Sequence, residues 1–155
     1  MIDKLIYWTR VLVVSWEAAV LSVALVMSVL FKRELDSMAH ALFVNEAPRS
    51  VLLTASIALF AWEIRESSLL QQEDKETIRV LSDWPSYPLL KIHVQVSLLY
   101  GLIFTVIPAL PLVTRPDISD GTGLLLFLTG LVGHLIVAGS IYFARMELKE
   151  LLARE

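Results

Sequence analysis

One uninterrupted apolar run, residues 124–145, most constrains what this chain can fold into. Its sequence, LLLFLTGLVGHLIVAGSIYFAR, holds no formally charged residue before Arg145. At about 1.5 Å per residue, a helix of this length covers roughly 30 Å, which is the thickness of the hydrocarbon core of a bilayer. The run therefore predicts a membrane-spanning helix.

The composition extends this prediction to the rest of the chain. Of the 155 residues, 56% are hydrophobic and only 19% are charged, which is too apolar for a soluble domain of this size. The length accommodates about four spans of about 20 residues and no separate folded domain. We expect an all-α, polytopic membrane protein: a single domain with four transmembrane helices in an up-down bundle.

The hydropathy pattern divides the chain into spans and connections. The predicted spans are residues 9–31, 48–66, 89–112 and 122–145. Apolar residues that recur every three or four positions after the first span predict a short interfacial helix. Helix-forming polar residues predict a cytoplasmic helical extension of the second span, within a cytoplasmic loop at 67–88. Residues 146–155 form a predicted cytoplasmic tail.

The distribution of basic residues predicts the orientation, because cytoplasmic loops of membrane proteins are enriched in lysine and arginine. The termini and the middle loop hold nine basic residues, namely Lys4, Arg10, Arg65, Lys75, Arg79, Lys91, Arg145, Lys149 and Arg154. The other two connections hold four, namely Lys32, Arg33, Arg49 and Arg115. We therefore expect both termini to be cytoplasmic. The expected location is the bacterial inner (plasma) membrane.

Several classes of function are disfavoured by the sequence. The chain has no cysteine, which excludes disulfides, thiolate catalysis and cysteine-ligated metal centres. Its basic residues form no stripe and its net charge is −3, so there is no electrostatic footprint for nucleic acid. No phosphate-binding loop, dinucleotide fingerprint or metalloprotease motif occurs. We expect no enzymatic activity and no cofactor.

Glu17 is the first candidate for a functional side chain, because it lies inside the first apolar run. An acid at the centre of a membrane helix costs about 2.5 to 3.5 kcal/mol and normally faces a partner or water. At similar depth on the other spans lie Gln95, Tyr100, Gly139 and Ser140. Glu17 either binds a proton or cation, or it joins helices through hydrogen bonds, and the second alternative is slightly favoured.

His134 is the second candidate, near the middle of the fourth span. Haem ligation by two histidines requires matching depths, whereas His93 starts only about 3 Å beyond the membrane boundary at Lys91. His40 falls in the opposite connection. A histidine that packs against a neighbouring helix is therefore favoured over a haem ligand, and a relay with Glu17 is the minor alternative. The predicted intramembrane polar cluster consists of Glu17, Gln95, Tyr100, His134 and Ser140.

Small residues on the fourth span predict a helix-packing face. Thr129, Gly133, Ser140 and Ala144 lie at spacings that place most of them on one side of the helix, and small side chains permit close helix approach. The charges that follow the second span, beginning with Glu63, Arg65 and Glu66, are typical of a solvated helix face.

These features favour a non-catalytic integral membrane subunit, an accessory or anchoring component that assembles with partner membrane proteins, for example in a transporter. Its size and topology resemble those of small subunits of multi-component transporters, which is a resemblance of shape alone. The alternative is a homo-oligomeric channel or small transporter with Glu17, and His134 deeper along the path, on a proton or cation route. A haem or quinone module and a lipid-modifying enzyme are weaker alternatives. The expected partners are the bilayer and other membrane subunits or copies of the chain.

Overall fold

The fold is described from a computed structural model that covers residues 15–42, 47–69, 84–85, 87–113 and 120–152. Every regular element in these ranges is helical. The helices are α1 (Trp16–Leu30), α2 (Lys32–Leu42), α3 (Ala47–Leu69), α4 (Tyr87–Val106), α5 (Leu110–Val113) and α6 (Asp120–Leu152), with a 3-10 turn (Ile107–Ala109) between α4 and α5. The predicted all-helical class is confirmed for the described residues.

The start of α1 follows from a side-chain cap. Ser15 has an extended backbone and its Oγ accepts a hydrogen bond from the Ala18 N–H at 3.1 Å, which satisfies one of the free donors at the helix start. The helix therefore begins at Trp16, within the predicted span 9–31, whose residues 9–14 lie outside the described part of the chain. Most of the predicted loop at 67–88 and the end of the tail also lie outside it.

A single residue, Phe31, separates α1 from α2. The Phe31 N–H still donates to the Met27 carbonyl, and the Phe31 carbonyl accepts from Leu35, so the two helices meet at a bend rather than at a loop. Helix α2 lies at the position in the sequence where a short interfacial helix is predicted. It buries Leu35 and Ala39 and leaves Met38 exposed.

The prolines near the end of the third predicted span interrupt its helix. Pro108 lies in the 3-10 turn, and α5 begins at Leu110 just before Pro111. Each proline lacks a backbone N–H donor, which is why the α-helical hydrogen bonding of α4 ends at Val106. Pro108 is buried and packs close to Gly130 of α6.

Helix α6 is the central element of the fold, and it contacts α1, α2, α3, α4 and the 3-10 turn. Its 33 residues span about 50 Å, which is long enough to contact all of these elements. The apolar core lies mainly between α4 and α6 and includes Tyr100, Phe104, Val137 and Ile141. A side chain at Gly133 would collide with the Phe104 ring, so the absence of one lets α4 and α6 approach closely.

Two helical segments, Tyr87–Ala109 and Gly121–Glu150, are long and apolar enough to cross a membrane, whereas α1 is a shorter apolar helix. This composition suggests a membrane protein. The described end of α6 continues without a break from the predicted fourth span into the predicted tail.

Candidate functional site

Glu17 joins three helices. The Ser15 cap places it in the first turn of α1, where its carboxylate points toward α4 and α6. Its Oε1 accepts hydrogen bonds from the hydroxyls of Ser97 at 3.0 Å and Ser140 at 3.1 Å. The residue is only 2% exposed. Two hydroxyl donors on one oxygen stabilise a buried carboxyl group.

Of the predicted partners of Glu17, Ser140 contacts it and Gln95 does not. Ser140 donates to it, but Ser97 rather than Gln95 is the contact from α4, and Gln95 is exposed. The two positions are about 200° apart around a helix, so a matching depth does not imply a matching face. Tyr100 is buried and its ring stacks on Phe104, with 6.1 Å between the centroids.

A second buried acid, Glu63 of α3, pairs with His134 of α6. Glu63 Oε1 lies 2.8 Å from His134 Nδ1, and both side chains are 0% exposed. The ring of Phe104 meets the imidazole edge to face and so adds to the apolar surroundings. A charge in such a place is retained only with a close partner, and each residue supplies that partner for the other.

Thr105 contacts the other imidazole nitrogen of His134, and this contact is used to assign the tautomer. Its hydroxyl donates to the Gly101 carbonyl at 2.9 Å, which leaves its oxygen as the acceptor for His134 Nε2, 3.4 Å away. On this network we assign the N–H to Nε2. His134 Nδ1 and Glu63 Oε1 then share one proton, and the pair is neutral as a whole whichever of the two atoms holds it.

The other oxygen of Glu63 has no such partner. Oε2 is buried without a hydrogen bond among the described residues, and it lies against α4 at Gly101, where any Cβ would collide with it. The hydroxyl of Ser56, two turns earlier on α3, is also buried without a partner in the described part of the chain. Unsatisfied buried oxygens are costly and mark places where water, a proton or an ion is accommodated.

The sequence interpretation of Glu63 and Glu66 as members of a solvated helix face is wrong. Glu63 is fully buried, and Glu66, which is 15% exposed, forms an ion pair with Arg145 of α6. Arg65 does lie exposed. Because polar residues surround Glu63 and Glu66 in the sequence, local composition predicted that both acids face solvent. For Glu63, the signal that indicates burial is its spacing from two serines. Glu63 lies seven residues after Ser56 and four before Ser67, and all three are buried on one face.

The predicted packing face of α6 is mostly buried. Thr129 and Ala144 are buried, Gly133 packs against the Phe104 ring, and Ser140 is half-buried against Glu17. Glu17 and His134 of the predicted polar cluster belong to separate sites: His134 contacts Glu63, and Glu17 contacts the two serines. Ser140 and His134 are six residues apart on α6, or about 9 Å along its axis.

A cavity of about 710 Å³ opens beside Glu17. It lies between the first two turns of α1 and α4 and residues 136–144 of α6. Glu17, His93 and Ser140 are among its polar walls, and Trp16 and Phe143 among its apolar walls. The buried acid of α1 is therefore on the surface of a cavity, whereas Glu63 and His134 are not among its walls.

No protein-family model, no curated protein and no solved structure matches this chain. The functional argument therefore rests on the geometry of these sites.

Proposed function

We propose that the chain is an integral membrane protein in which α1, α3, α4 and α6 form a four-span bundle. The distribution of polarity supports this proposal. The buried residues on the described face of α3 are Ser56, Glu63 and Ser67, while Val51, Ile57, Trp62 and Ile64 of the same helix are exposed. A helix with polar residues inside and large apolar residues outside is matched to lipid and not to water.

The same polarity extends to α1, whose single acid is buried while Val23, Leu25, Val29 and Leu30 are exposed. The 15 residues of α1 cover about 22 Å, which is shorter than the hydrocarbon core, and local thinning of the bilayer accommodates such a difference. In this arrangement α2 lies at the interface, with Lys32 and Arg33 in the headgroup region and Met38 facing the acyl chains. The cytoplasmic location of both termini remains part of the proposal.

Within this bundle, we propose that Glu17 binds a proton or cation in a small transport protein. The observation that carries the proposal is the cavity of about 710 Å³ that reaches Glu17. The Glu63 and His134 pair, which is also buried, is not among the described walls of that cavity. Glu17 instead has its hydroxyl partners on one oxygen and a cavity beside it, which is the arrangement that a binding carboxylate requires.

The test is ion movement in reconstituted vesicles. The full chain is incorporated into liposomes that contain a pH-sensitive dye, and an imposed proton gradient is followed with and without candidate counter-cations. We expect the wild-type chain to dissipate the gradient and Glu17→Gln to do so no faster than empty liposomes, because a carboxamide does not exchange a proton at neutral pH. Glu34→Gln, an exposed acid on α2, is the matched control and should behave as wild type. A Glu17→Gln chain with wild-type flux would contradict the transport role.

A structural role as an accessory subunit is the second candidate, and a different observation favours it. Each of α1, α2 and α3 directs at least one carboxylate to α6: Glu17 to Ser140, Asp36 to the Gly121 N–H, Glu63 to His134 and Glu66 to Arg145. Polar contacts of this kind hold helices together in lipid, where apolar contacts between helices give little gain. Under this role, Glu17→Gln should still assemble with partner subunits, and native mass spectrometry in mild detergent would detect those partners.

A further inference from the structure

The cavity beside Glu17 has walls that define the chemistry of a ligand. Its volume of about 710 Å³ falls in the range of about 300 to 1,000 Å³ that holds one small organic molecule. Most of the described walls are apolar, among them Trp16, Leu90, Ile136 and Phe143. A hydrated inorganic cation would gain little from such walls, because it requires several oxygen ligands, whereas an apolar organic body would be well accommodated.

The polar walls select the sign of the charge. Glu17 is the acidic residue among the described walls, and none of those walls is a lysine or arginine. His93 is the other ionisable wall residue, and Ser15 and Ser140 are neutral. Among the described walls, a positive group placed beside Glu17 therefore meets one carboxylate and no lysine or arginine, which favours a cation over an anion of the same shape.

The aromatic walls reinforce this selection. Trp16 and Phe143 are both strongly exposed and both border the cavity, one from the start of α1 and the other from the last third of α6. The face of an indole or phenyl ring attracts a cation through the quadrupole of the ring. Two rings and a carboxylate around one apolar space are suited to a bulky cation whose charge is spread over apolar groups.

From these walls we propose that the cavity binds lipophilic organic cations, such as quaternary ammonium or phosphonium compounds with apolar substituents, with Glu17 as the counter-ion. This inference rests on the proposed cation-binding role of Glu17 and adds the class of substrate. The bound cation displaces the proton of a protonated Glu17 or pairs with its carboxylate, and no covalent bond changes in either case.

The test uses two probes of nearly equal size and shape and opposite charge. Binding of radiolabelled tetraphenylphosphonium and tetraphenylborate to the full chain in detergent is measured by equilibrium dialysis. We expect saturable binding of tetraphenylphosphonium alone. Glu17→Gln should weaken it by about tenfold or more, because the buried partner of the cation loses its charge.

A second variant keeps the test independent of any folding defect in Glu17→Gln. Gly139 borders the cavity, and a Cβ placed there would meet nothing within 4 Å, so we expect the side chain of Gly139→Leu to occupy cavity space. It should weaken tetraphenylphosphonium binding while its thermal unfolding remains that of wild type. Glu34→Gln, an exposed residue of α2 that is not among the described cavity walls, should bind as wild type.

Two results would overturn the inference: equal binding of both probes, which indicates simple partition into the detergent or the apolar surface, and unchanged binding in both Glu17→Gln and Gly139→Leu. If the probe fails to bind while the proton flux of the wild-type chain still depends on Glu17, the class of substrate is wrong and the proposed transport role stands. If the probe binds through Glu17 and no flux occurs, the site exists and transport is the part that fails.

Discussion

At the scale of the residue, buried acids of this protein differ in how completely they are satisfied. Glu17 receives two hydroxyl hydrogen bonds on Oε1, whereas Glu63 has one close partner, His134, and leaves Oε2 against the backbone of α4. A carboxyl group held by two hydroxyls exchanges partners without separating charges, which suits a binding site. One held by a single imidazole in an apolar setting is tied to that imidazole.

The space at Gly101 gives a prediction about the second pair. Gly101→Ala places a methyl group where Glu63 Oε2 lies, with the Phe60 ring 3.2 Å from the new carbon. The carboxylate must then shift from this position, and we expect a loss of about 1 to 3 kcal/mol in the free energy of unfolding, which is the usual range for overpacking. Unfolding by sodium dodecyl sulfate in mixed micelles, followed by circular dichroism, measures it.

The matched control for Gly101→Ala is the same substitution at Gly139, where the added carbon meets open space. Gly139→Ala should be neutral or slightly stabilising, since alanine has the higher helix propensity. Equal stability of the two variants would show that α4 and Glu63 do not approach each other as described.

The residue scale also shows what the sequence could and could not predict about the site. Glu17 is identifiable because no other charge interrupts its apolar run, and the same holds for His134 in the middle of the fourth run. Glu63 is hidden because it stands at the border of a polar segment, where local sequence favours solvent. Whether Ser97 meets Glu17 and Glu63 meets His134 depends on how four helices are rotated about their axes. The depth of a residue in the membrane gives no information on that rotation.

At the scale of the element, the ends of helices are fixed by specific side chains. Ser15 caps α1, and Asp36 of α2 caps α6 across the fold, because its Oδ1 accepts the Gly121 N–H at 2.9 Å. A carboxylate at a helix start also interacts favourably with the helix dipole. A side chain at Gly121 would collide with Asp36, so glycine permits this close approach of α2 to α6.

Loss of this cap is predicted to loosen α2 from α6. Asp36→Ala removes the acceptor and should lower the free energy of unfolding by about 0.5 to 2 kcal/mol, as for other helix caps. Hydrogen exchange followed by mass spectrometry should show faster exchange in the first turn of α6. Glu34→Ala, two residues earlier and exposed, is the control. If Asp36→Ala and Glu34→Ala exchange alike, the cap contributes nothing to the junction.

Helical elements were the most predictable part of this fold, for a physical reason. Long apolar runs without glycine or proline clusters favour helix wherever the surroundings cannot form hydrogen bonds with the backbone. Prolines in the sequence directly indicate the interruption at Pro108. The start of α1 at Trp16 was less predictable, because the apolar run extends before Ser15 and only the cap geometry locates the boundary.

At the scale of the whole molecule, α6 organises the fold. Glu17, Asp36, Glu63 and Glu66 on the surrounding helices all make polar contacts with it. In a soluble bundle these positions would be apolar and the outer faces polar. Here, large apolar side chains such as Val23, Leu25, Leu135 and Phe143 are exposed. Which helices pack against α6 depends on contacts between residues far apart in the sequence, and hydrophobic periodicity does not encode these contacts. For this reason the sequence predicted the helices better than it predicted which helices are in contact.

The central claim is that lipid covers these outward apolar faces, and labelling of single cysteines tests it most directly. The chain contains no cysteine, so each introduced thiol reports alone. Leu25→Cys on α1 and Leu135→Cys on α6 lie on exposed faces of the fold, so that no part of the described protein protects them. Pro85→Cys, in the exposed turn before α4, is the reference for a position in water.

Permeabilised native membranes are treated with a maleimide that cannot enter a bilayer. We predict that Pro85→Cys is labelled, and that Leu25→Cys and Leu135→Cys are labelled only after the membranes are dissolved in sodium dodecyl sulfate. Labelling of Leu25→Cys and Leu135→Cys at the rate of Pro85→Cys before dissolution would place both faces in water and contradict the lipid-embedded bundle.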